Sequence, residues 1–550
     1  MFAVHYFQNN LGGYGLQLSF NNTVWMAALL VVGVGIFQGV NCGQWQLPGY
    51  WKDYPLLFAA LFIPLLWSGD TAIYAVGRFF AVLAGLMFLL ALFQSFDGER
   101  DERSLLFIVV LSVLIEASLG ALQLTGWQWL PGGRVSETGI RPQGIFQQPN
   151  VYASFLATGM MAALWLLAKH KLPASPVRKV AWLAVLFATL GLAAFGQYVT
   201  VSRTGVLASA GGLLLLLLAF RGQHRRVLFF GVLLLVVGEL AGYLYTTFEH
   251  NVVRDASGVL ESNGRSAIWT VSWQLFAHHP VTGVGLGGFE AAYADQRAMT
   301  FAQTGLLSMA NVDHPHNELL FWAVEGGLLP VLAILLFAAR FVWRLAHLGR
   351  NAFAYAALLL PIALHSMTEY PFYHSAIHWF TFLLLLFLVE SRVAPLQQKD
   401  AALPYVWKSL TAAGLLLGSA FLLTNLQTIS KLVQVSRANK VAKEGDSPLL
   451  PMRDIINPVV FQSQIEHIAM YAQFQQALKT HNRTTLQRFI DWGWQFSHSV
   501  VRADTFVNML RAADALGDRA QYQRILKRAR WLYPRNPAFE ASSSEVGQKQ

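Results

Sequence analysis

Charge is what this sequence has least of. Of its 550 residues only 13% are Asp, Glu, Lys or Arg, about half the share usual in soluble domains. Together with 55% hydrophobic residues and a mean hydropathy of +0.42, that scarcity excludes an ordinary water-soluble fold. Cysteine is nearly absent: the single Cys42 excludes an internal disulfide and any cysteine-based metal cluster. No basic region precedes an apolar stretch at the N-terminus, so no cleavable signal peptide is legible. A net charge of +10 would point to nucleic acid in a soluble chain. Here cationic connections between membrane spans account for it, and no nucleic-acid partner is expected.

Long apolar runs are abundant. Twelve candidate spans fall near 24–40, 54–68, 71–95, 104–124, 150–168, 180–197, 204–220, 227–246, 317–339, 352–369, 374–390 and 406–424, the second of them short. They predict an all-α polytopic membrane protein, and the 13% aromatic content suits interfacial belts. One set of alternate connections holds sixteen lysines and arginines, among them Lys52, Arg100, Lys171, Arg225, Arg340 and Lys408. The short connections of the other set hold three, Arg134, Arg141 and Arg203. Cationic connections stay in the cytoplasm. In a bacterial inner membrane the 125–149 loop, the 250–322 stretch and everything after about 425 then face the periplasm. The N-terminus lies outside as well. Residues 1–20 read either as a polar re-entry loop after a span encoded upstream or as an exported N-terminus.

The stretch from His250 to Trp322 lacks any membrane-length apolar run although spans flank it on both sides. A polar segment of that length works outside the bilayer. The expected division is therefore 1–246 for the first membrane helices, 247–316 for a large periplasmic loop, 317–424 for the remaining membrane helices and 425–550 for a soluble helical domain. Within the last, Ala513–Phe539 has the spacing of half a tetratricopeptide-type helix pair, a protein-binding module, or of a plain helical cap.

Ionisable groups inside spans are costly and therefore informative. Arg78, Glu116, Glu239, Glu325, His365 and Glu369 fall at or inside expected helices. Arg78 either snorkels to the surface or holds an anionic headgroup. Glu116 and Glu239 read as structural partners. Four motifs fall on the outer side: RPQGIFQQPN (Arg141–Asn150), VSRTG (Val201–Gly205), NGRSAIW (Asn263–Trp269) and HPHNE (His314–Glu318). Gln147 and Gln148 suit sugar hydroxyls or phosphate oxygens, and Asn150 suits a helix cap. Arg141, Arg203 and Arg265 are the residue type a pyrophosphate needs, because a guanidinium gives a permanent charge and paired hydrogen bonds. A histidine at the membrane surface titrates near neutrality and can take a proton from an attacking hydroxyl. His314 and His316 read alternatively as a metal pair with Asp313 beside them, and His316 as a helix cap.

Taken jointly, GIFQQPN, VSRTG, GRSAIW, GVGLGGF, HPHNELLFWAVEGGLLP and HSMTEYPF resemble the O-antigen ligase and polymerase superfamily. Within it the chain most resembles the PglL-type bacterial protein O-oligosaccharyltransferases, from about Gln143 to the C-terminus. The resemblance implies transfer of a glycan from an undecaprenyl-pyrophosphate carrier at the periplasmic face, with no metal or cofactor. It implies that His316 is the essential histidine, Gln147 the functional glutamine and Tyr370 the functional tyrosine. Arg203 and Arg265 match the family's arginines, with Arg141, Arg78 and His314 as further candidates for substrate binding. The implied partners are a lipid-linked oligosaccharide donor, membrane lipids and a pilin-like acceptor protein. An O-antigen ligase acting on lipid A-core, a glycan polymerase and a lipid-linked glycan transporter are the alternatives. Clustering of the polar groups on one face favours an enzyme over a conduit.

Overall fold

In lipid the backbone has no water to bond, so each apolar run satisfies its amides internally as a helix. The computed structural model describes residues 1–125, 141–169, 173–221, 225–248, 257–309, 312–441 and 449–540; Arg134, Lys171 and His250 lie outside them. The helices are α1 (Ser19–Asn41), α2 (Asp53–Phe62), α3 (Ala72–Ser95), α4 (Glu102–Gln123), α5 (Pro149–Lys169), α6 (Pro176–Val199), α7 (Arg203–Ala219) and α8 (Arg225–Phe248). Then come α9 (Ser257–His278), α10 (Phe289–Thr304), α11 (Glu318–Gly326), α12 (Leu328–Ala346), α13 (Asn351–Ser366), α14 (Pro371–His374), α15 (Ala376–Val393) and α16 (Pro404–Val441). The chain ends with α17 (Gln462–Thr480), α18 (Arg483–Phe496), α19 (Ala503–Leu516) and α20 (Arg519–Leu532). A single two-stranded sheet, the only one among the described residues, pairs β1 (Gln44–Leu47) antiparallel with β2 (Gln397–Asp400), Gln44 opposite Asp400.

Among the described residues nine helices are long and apolar enough to cross a membrane, and three shorter apolar ones, Asp53–Trp67, Arg203–Ala219 and Asn351–Ser366, bring the set to the number of spans expected. The protein is an all-α polytopic membrane protein. Two boundaries differ from expectation. The run expected as one span at 317–339 is two helices, because Gly327 takes φ 74° and ψ −156° and ends α11 before α12 begins. The run expected to stop near 424 continues as helix to Val441.

The chain divides into two compact units. The first comprises residues 1–56, 81–256 and 336–460. Its centre is α5, buried at every position from Val151 to Ala168. Small side chains let neighbouring helices close on it: a Cβ at Gly159 would collide with Val113 of α4, and one at Gly212 of α7 with Met161. Glu102, fully buried at the start of α4, accepts hydrogen bonds from Lys169 Nζ at 3.0 Å, Arg392 Nη2 at 2.9 Å, Tyr355 Oη at 2.7 Å and Trp165 Nε1 at 3.0 Å. This ties α4, α5, α13 and α15 together at one end. Arg344 does the same for α2 and α15, through Asp53 at 2.6 Å and Glu390 at 2.7 Å.

The second unit comprises residues 57–80, 257–335 and 461–550. Its apolar core is built from Phe474, Phe489, Phe506, Ile525 and Leu532 of the C-terminal helices and takes in Ala294 of α10. Asp295 accepts both terminal nitrogens of Arg528, Arg297 donates to the Leu532 carbonyl, and Glu290 Oε1 accepts the Val501 N–H at 2.9 Å. α10, within the polar stretch, and the C-terminal helices thus share a core. The C-terminal stretch holds four helices, α17 to α20, each packed on the one before it, where the sequence showed one half-pair.

Burial pushes the Glu290 carboxyl from 4.5 up to about 7, Asp313 adds to the rise, and the Val501 N–H and Arg502 oppose it. A carboxyl raised in the folded state stabilises the fold most below its unfolded value and loses that contribution as pH rises through its folded value. Glu290→Gln is therefore expected to flatten the pH dependence of melting between pH 4.5 and about 7 and to melt higher than the parent at pH 8. Thermal melting of the full chain in detergent at both pH values checks this; parallel pH profiles for the two proteins would rule it out.

Candidate active site

Three turns of the first unit are drawn to one end of it. The GIFQQ turn is held by α4: Gln123 accepts the N–H groups of Gln143 and Gly144 at 3.1 and 3.0 Å and donates to Gly144 O at 2.8 Å, while Glu116 accepts the Ile145 N–H at 3.0 Å. The other Glu116 oxygen meets His5 Nδ1 at 2.8 Å. Glu116 is thus a structural partner, as expected of it. Glu239 differs, since no hydrogen-bond or ion-pair partner is present for it among the described residues. From the other side His374 Nε2–H donates to Phe146 O at 2.8 Å. The EYPF turn is joined through Asn150 Nδ2 to Glu369 Oε1 at 3.1 Å, and the VSRTG turn through Arg141 Nε to Thr200 O at 2.6 Å. Thr204 and Thr368 meet at 3.1 Å. Gln147, Arg203, Arg141 and Tyr370 are therefore carried on turns that bond to one another. Below them Ser154 of α5 meets His365 at 2.7 Å and His378 at 3.0 Å, which accounts for the intramembrane His365.

The expected helix cap is reassigned. Gln148 Oε1, not Asn150, accepts the Val151 N–H at the start of α5, at 2.8 Å, and Asn150 is engaged by Glu369. Gln147 itself takes φ 59° and ψ 19°, and its side-chain nitrogen is buried without a hydrogen-bond partner among the described residues. Arg203 opens α7, whose Ser202 cap accepts the Gly205 N–H at 3.3 Å. Its side chain is exposed, one residue beyond a cap and two beyond Val201, which takes φ 52°.

In the second unit His316 sits between Pro315 and Asn317 at φ 56°. Asn317 is the cap of α11, accepting the Leu320 N–H at 2.9 Å, so capping is not the role of His316. The His316 N–H donates to His314 Nδ1 at 2.9 Å. His314 is 5% exposed, packs its ring 4.4 Å from that of Phe321 and turns Nε2 toward Glu318 at 3.7 Å. Burial holds the His314 imidazole below the usual histidine range, Glu318 offsetting part of that. A neutral ring accepting at Nδ1 and protonated at Nε2 fits this arrangement. One nitrogen of His314 is thus engaged within the turn, and among the described residues no three His, Cys, Asp or Glu side chains are grouped as a metal ion would need. Trp269 Nε1–H donates to Pro315 O at 2.9 Å. Arg265 lies four residues before Trp269 on α9 and so shares the helix face that meets this turn.

Arg78 has a different setting from the one expected. Its guanidinium pairs with Glu325 and lies over the rings of Phe321 and Trp322 at 4.5 and 4.6 Å, and its side chain is 8% exposed. Glu325 also accepts the Phe289 N–H at 3.3 Å. The GVGLGG turn is seated on the same helix: Val284 and Gly285 donate to the carbonyls of Val324 and Glu325 at 2.9 and 3.0 Å, and a Cβ at Gly283 would collide with the Glu325 backbone. The turn is scaffold for α11, and Arg78 belongs to it.

Among the described residues five non-glycine positions have left-handed backbone, and three of them are Gln147, Val201 and His316. Each costs about 1–3 kcal/mol, and for a β-branched Val the conformation is a true outlier. Of the other two, His481 is an ordinary left-handed C-cap. Strain of this kind persists only where surrounding contacts over-determine it, and here it coincides with three of the four motifs.

Comparison with known families gives the class of the chain. The O-antigen ligase family model matches residues 188–336 and the C-terminal model of the virulence factor membrane-bound polymerases matches 353–545. The chain therefore has the class of a glycan-transferring membrane enzyme. The protein glycosylation ligase model matches residues 142–167, across the Gln147 turn. With all three, the chain is a PglL-type member of the O-antigen ligase superfamily. Enzymes of these families act on lipid-linked glycan donors and on protein or lipid acceptors. No curated protein matches the chain.

Proposed function

We propose that this enzyme transfers a glycan from an undecaprenyl-pyrophosphate carrier to a Ser or Thr hydroxyl of a periplasmic or pilin-like protein. The observation that carries the reading is the left-handed backbone at Gln147 and His316, inside two motifs of the family, in turns held by the Ile145 N–H to Glu116 and the His316 N–H to His314 bonds. The acceptor oxygen attacks the anomeric carbon as His316 takes its proton. The bond from that carbon to the pyrophosphate oxygen breaks, the anomeric centre inverts, and the carrier pyrophosphate leaves with the electron pair. Arg203 and Arg265 hold the developing charge. Gln147 and Tyr370 position donor or acceptor. Arg141 acts by bracing the Thr200 turn beside Arg203, His314 by fixing His316, and Arg78 by anchoring α11 through Glu325. The excess of lysine and arginine in one set of connections supports a periplasmic setting for the motif turns, in a bacterial inner membrane.

Mass spectrometry of surface proteins and lipopolysaccharide, with and without the gene, tests this. Loss of glycan from a surface protein alone is expected. Loss of O-antigen alone would replace the reading with a ligase acting on lipid A-core, which the match at 188–336 also fits.

A further inference from the structure

The last long helix, α20, carries charge of one sign only. Its sequence RAQYQRILKRARWL holds Arg519, Arg524, Lys527, Arg528 and Arg530 and no Asp or Glu. Its buried face gives Ile525, Leu526, Ala529 and Leu532 to the core of the second unit. Three of the cations are answered locally. Arg519 directly follows the acidic cap Asp518, Arg528 pairs with Asp295 at 2.5 and 2.9 Å, and Arg530 donates to the Phe539 carbonyl at 2.7 Å. Arg524 and Lys527 are exposed and have no acidic partner among the described residues.

Residues 524, 527 and 531 stand three and seven positions apart and so share one face of the helix. Trp531 on that face is 40% exposed. The Arg524 guanidinium lies 5.0 Å over the Trp494 ring of α18, which steadies it at the surface. Arg535, three residues beyond the helix, is exposed too and stands 5.2 Å over the Phe301 ring of α10. The macrodipole accounts for a cation in the last turn, such as Arg530, but not for Arg524 in the second. A basic face with one bulky ring suits an anionic partner that also brings apolar surface. Docking on phospholipid needs a broad apolar face to insert. Among the described residues after Val459, Tyr471 and Trp531 are the only large hydrophobics left exposed. A peptide with acidic side chains and one apolar residue needs no more than that, and stacked helices such as α17 to α20 are an architecture that binds extended partners.

We propose that the face of α20 bearing Arg524, Lys527 and Trp531 docks an acidic segment of the acceptor protein, apart from the hydroxyl that receives the glycan. This rests on the protein-acceptor reading above and names the feature by which an acceptor is chosen. The second unit also carries His316. An acceptor held on α20 is therefore tethered to the unit that holds the base, which raises the effective concentration of its hydroxyl there.

Two Ser-containing peptides are compared on the full chain in nanodiscs of neutral lipid. One has a run of Asp and Glu beside a Leu, and in the other those acids are Asn and Gln. Fluorescence anisotropy reads binding, transfer from a lipid-linked donor reads kcat and KM, and melting temperatures confirm folding. The parent binds the acidic peptide about tenfold more tightly, as two exposed charge pairs and one aromatic contact allow, and high salt erases the preference. Arg524→Gln with Lys527→Gln removes the preference, raises KM for the acidic peptide at unchanged kcat and leaves the neutral peptide as before. Trp531→Ala lowers the preference roughly threefold. The docking face is overturned if the parent shows no preference or if either variant retains it in full. A parent without the preference that melts higher in phosphatidylglycerol nanodiscs, by a margin the double variant loses, assigns the face to phospholipid and overturns the proposal. A parent that binds the acidic peptide and glycosylates neither overturns the protein-acceptor reading, an outcome distinct from equal transfer to both, which overturns the docking face alone.

Discussion

Replacing His316 with Asn is expected to lower glycan transfer by orders of magnitude, if His316 is the base proposed above, while the chain still folds and inserts. Asn is the informative replacement because it tolerates left-handed backbone better than most residues, so φ 56° adds no new strain. It cannot act as a base. The expected loss is at least about 10²–10⁴-fold, the range for removing a positioned general base. His314→Asn is the contrast: its amide oxygen can still accept the His316 N–H, so activity is expected to fall by no more than about tenfold, the net worth of that one hydrogen bond if it were lost altogether. The assay uses purified full-length protein in nanodiscs with lipid-linked donor and acceptor peptide, read by mass spectrometry. Full turnover by His316→Asn would end the assignment of the base, and equal losses in both variants would mean that the turn's integrity alone was being measured.

Arg203→Ala and Arg265→Ala are each expected to lower kcat by about 10²–10³-fold, with a smaller change in KM. Charge that develops only as the pyrophosphate leaves is stabilised in the transition state and little in the ground state. Lysine at either position keeps the charge and loses the planar fork, so it restores only part of the rate. Removal of Arg78 should act differently, because its charge is answered by Glu325 inside the fold. Arg78→Ala leaves Glu325 buried beside Phe321 and Trp322 and lowers stability before it touches chemistry. Steady-state kinetics with melting temperatures for the five arginine variants separate the two classes. An Arg203→Ala enzyme with unchanged kcat and raised KM would place that residue in ground-state binding only.

The membrane helices were legible because lipid imposes one rule on every span, that an apolar run about 20 residues long must be a helix. The motifs were legible too, being polar residue types kept where apolar ones are the default. The break at Gly327 was not, since a Gly-Gly pair inside an apolar run reads equally as a packing site. Nor was the setting of Arg78. In the sequence it is an uncompensated charge, and Glu325, 247 positions later, gives no sign that the two belong together.

By itself, then, the sequence determined the class of fold, the number of apolar helices and the family, because these depend on composition and local spacing. Tertiary structure alone decided which polar groups are scaffold. Glu116 and Gln123 hold the Gln147 turn, His314 holds His316, and α10 of the polar stretch shares a core with the C-terminal helices. The reason is that a side chain's role follows from the partner it meets, and every one of these turns is fixed by contacts made across the fold. The left-handed backbone at Gln147, Val201 and His316 lies in these turns, local strain that persists only where surrounding contacts over-determine it.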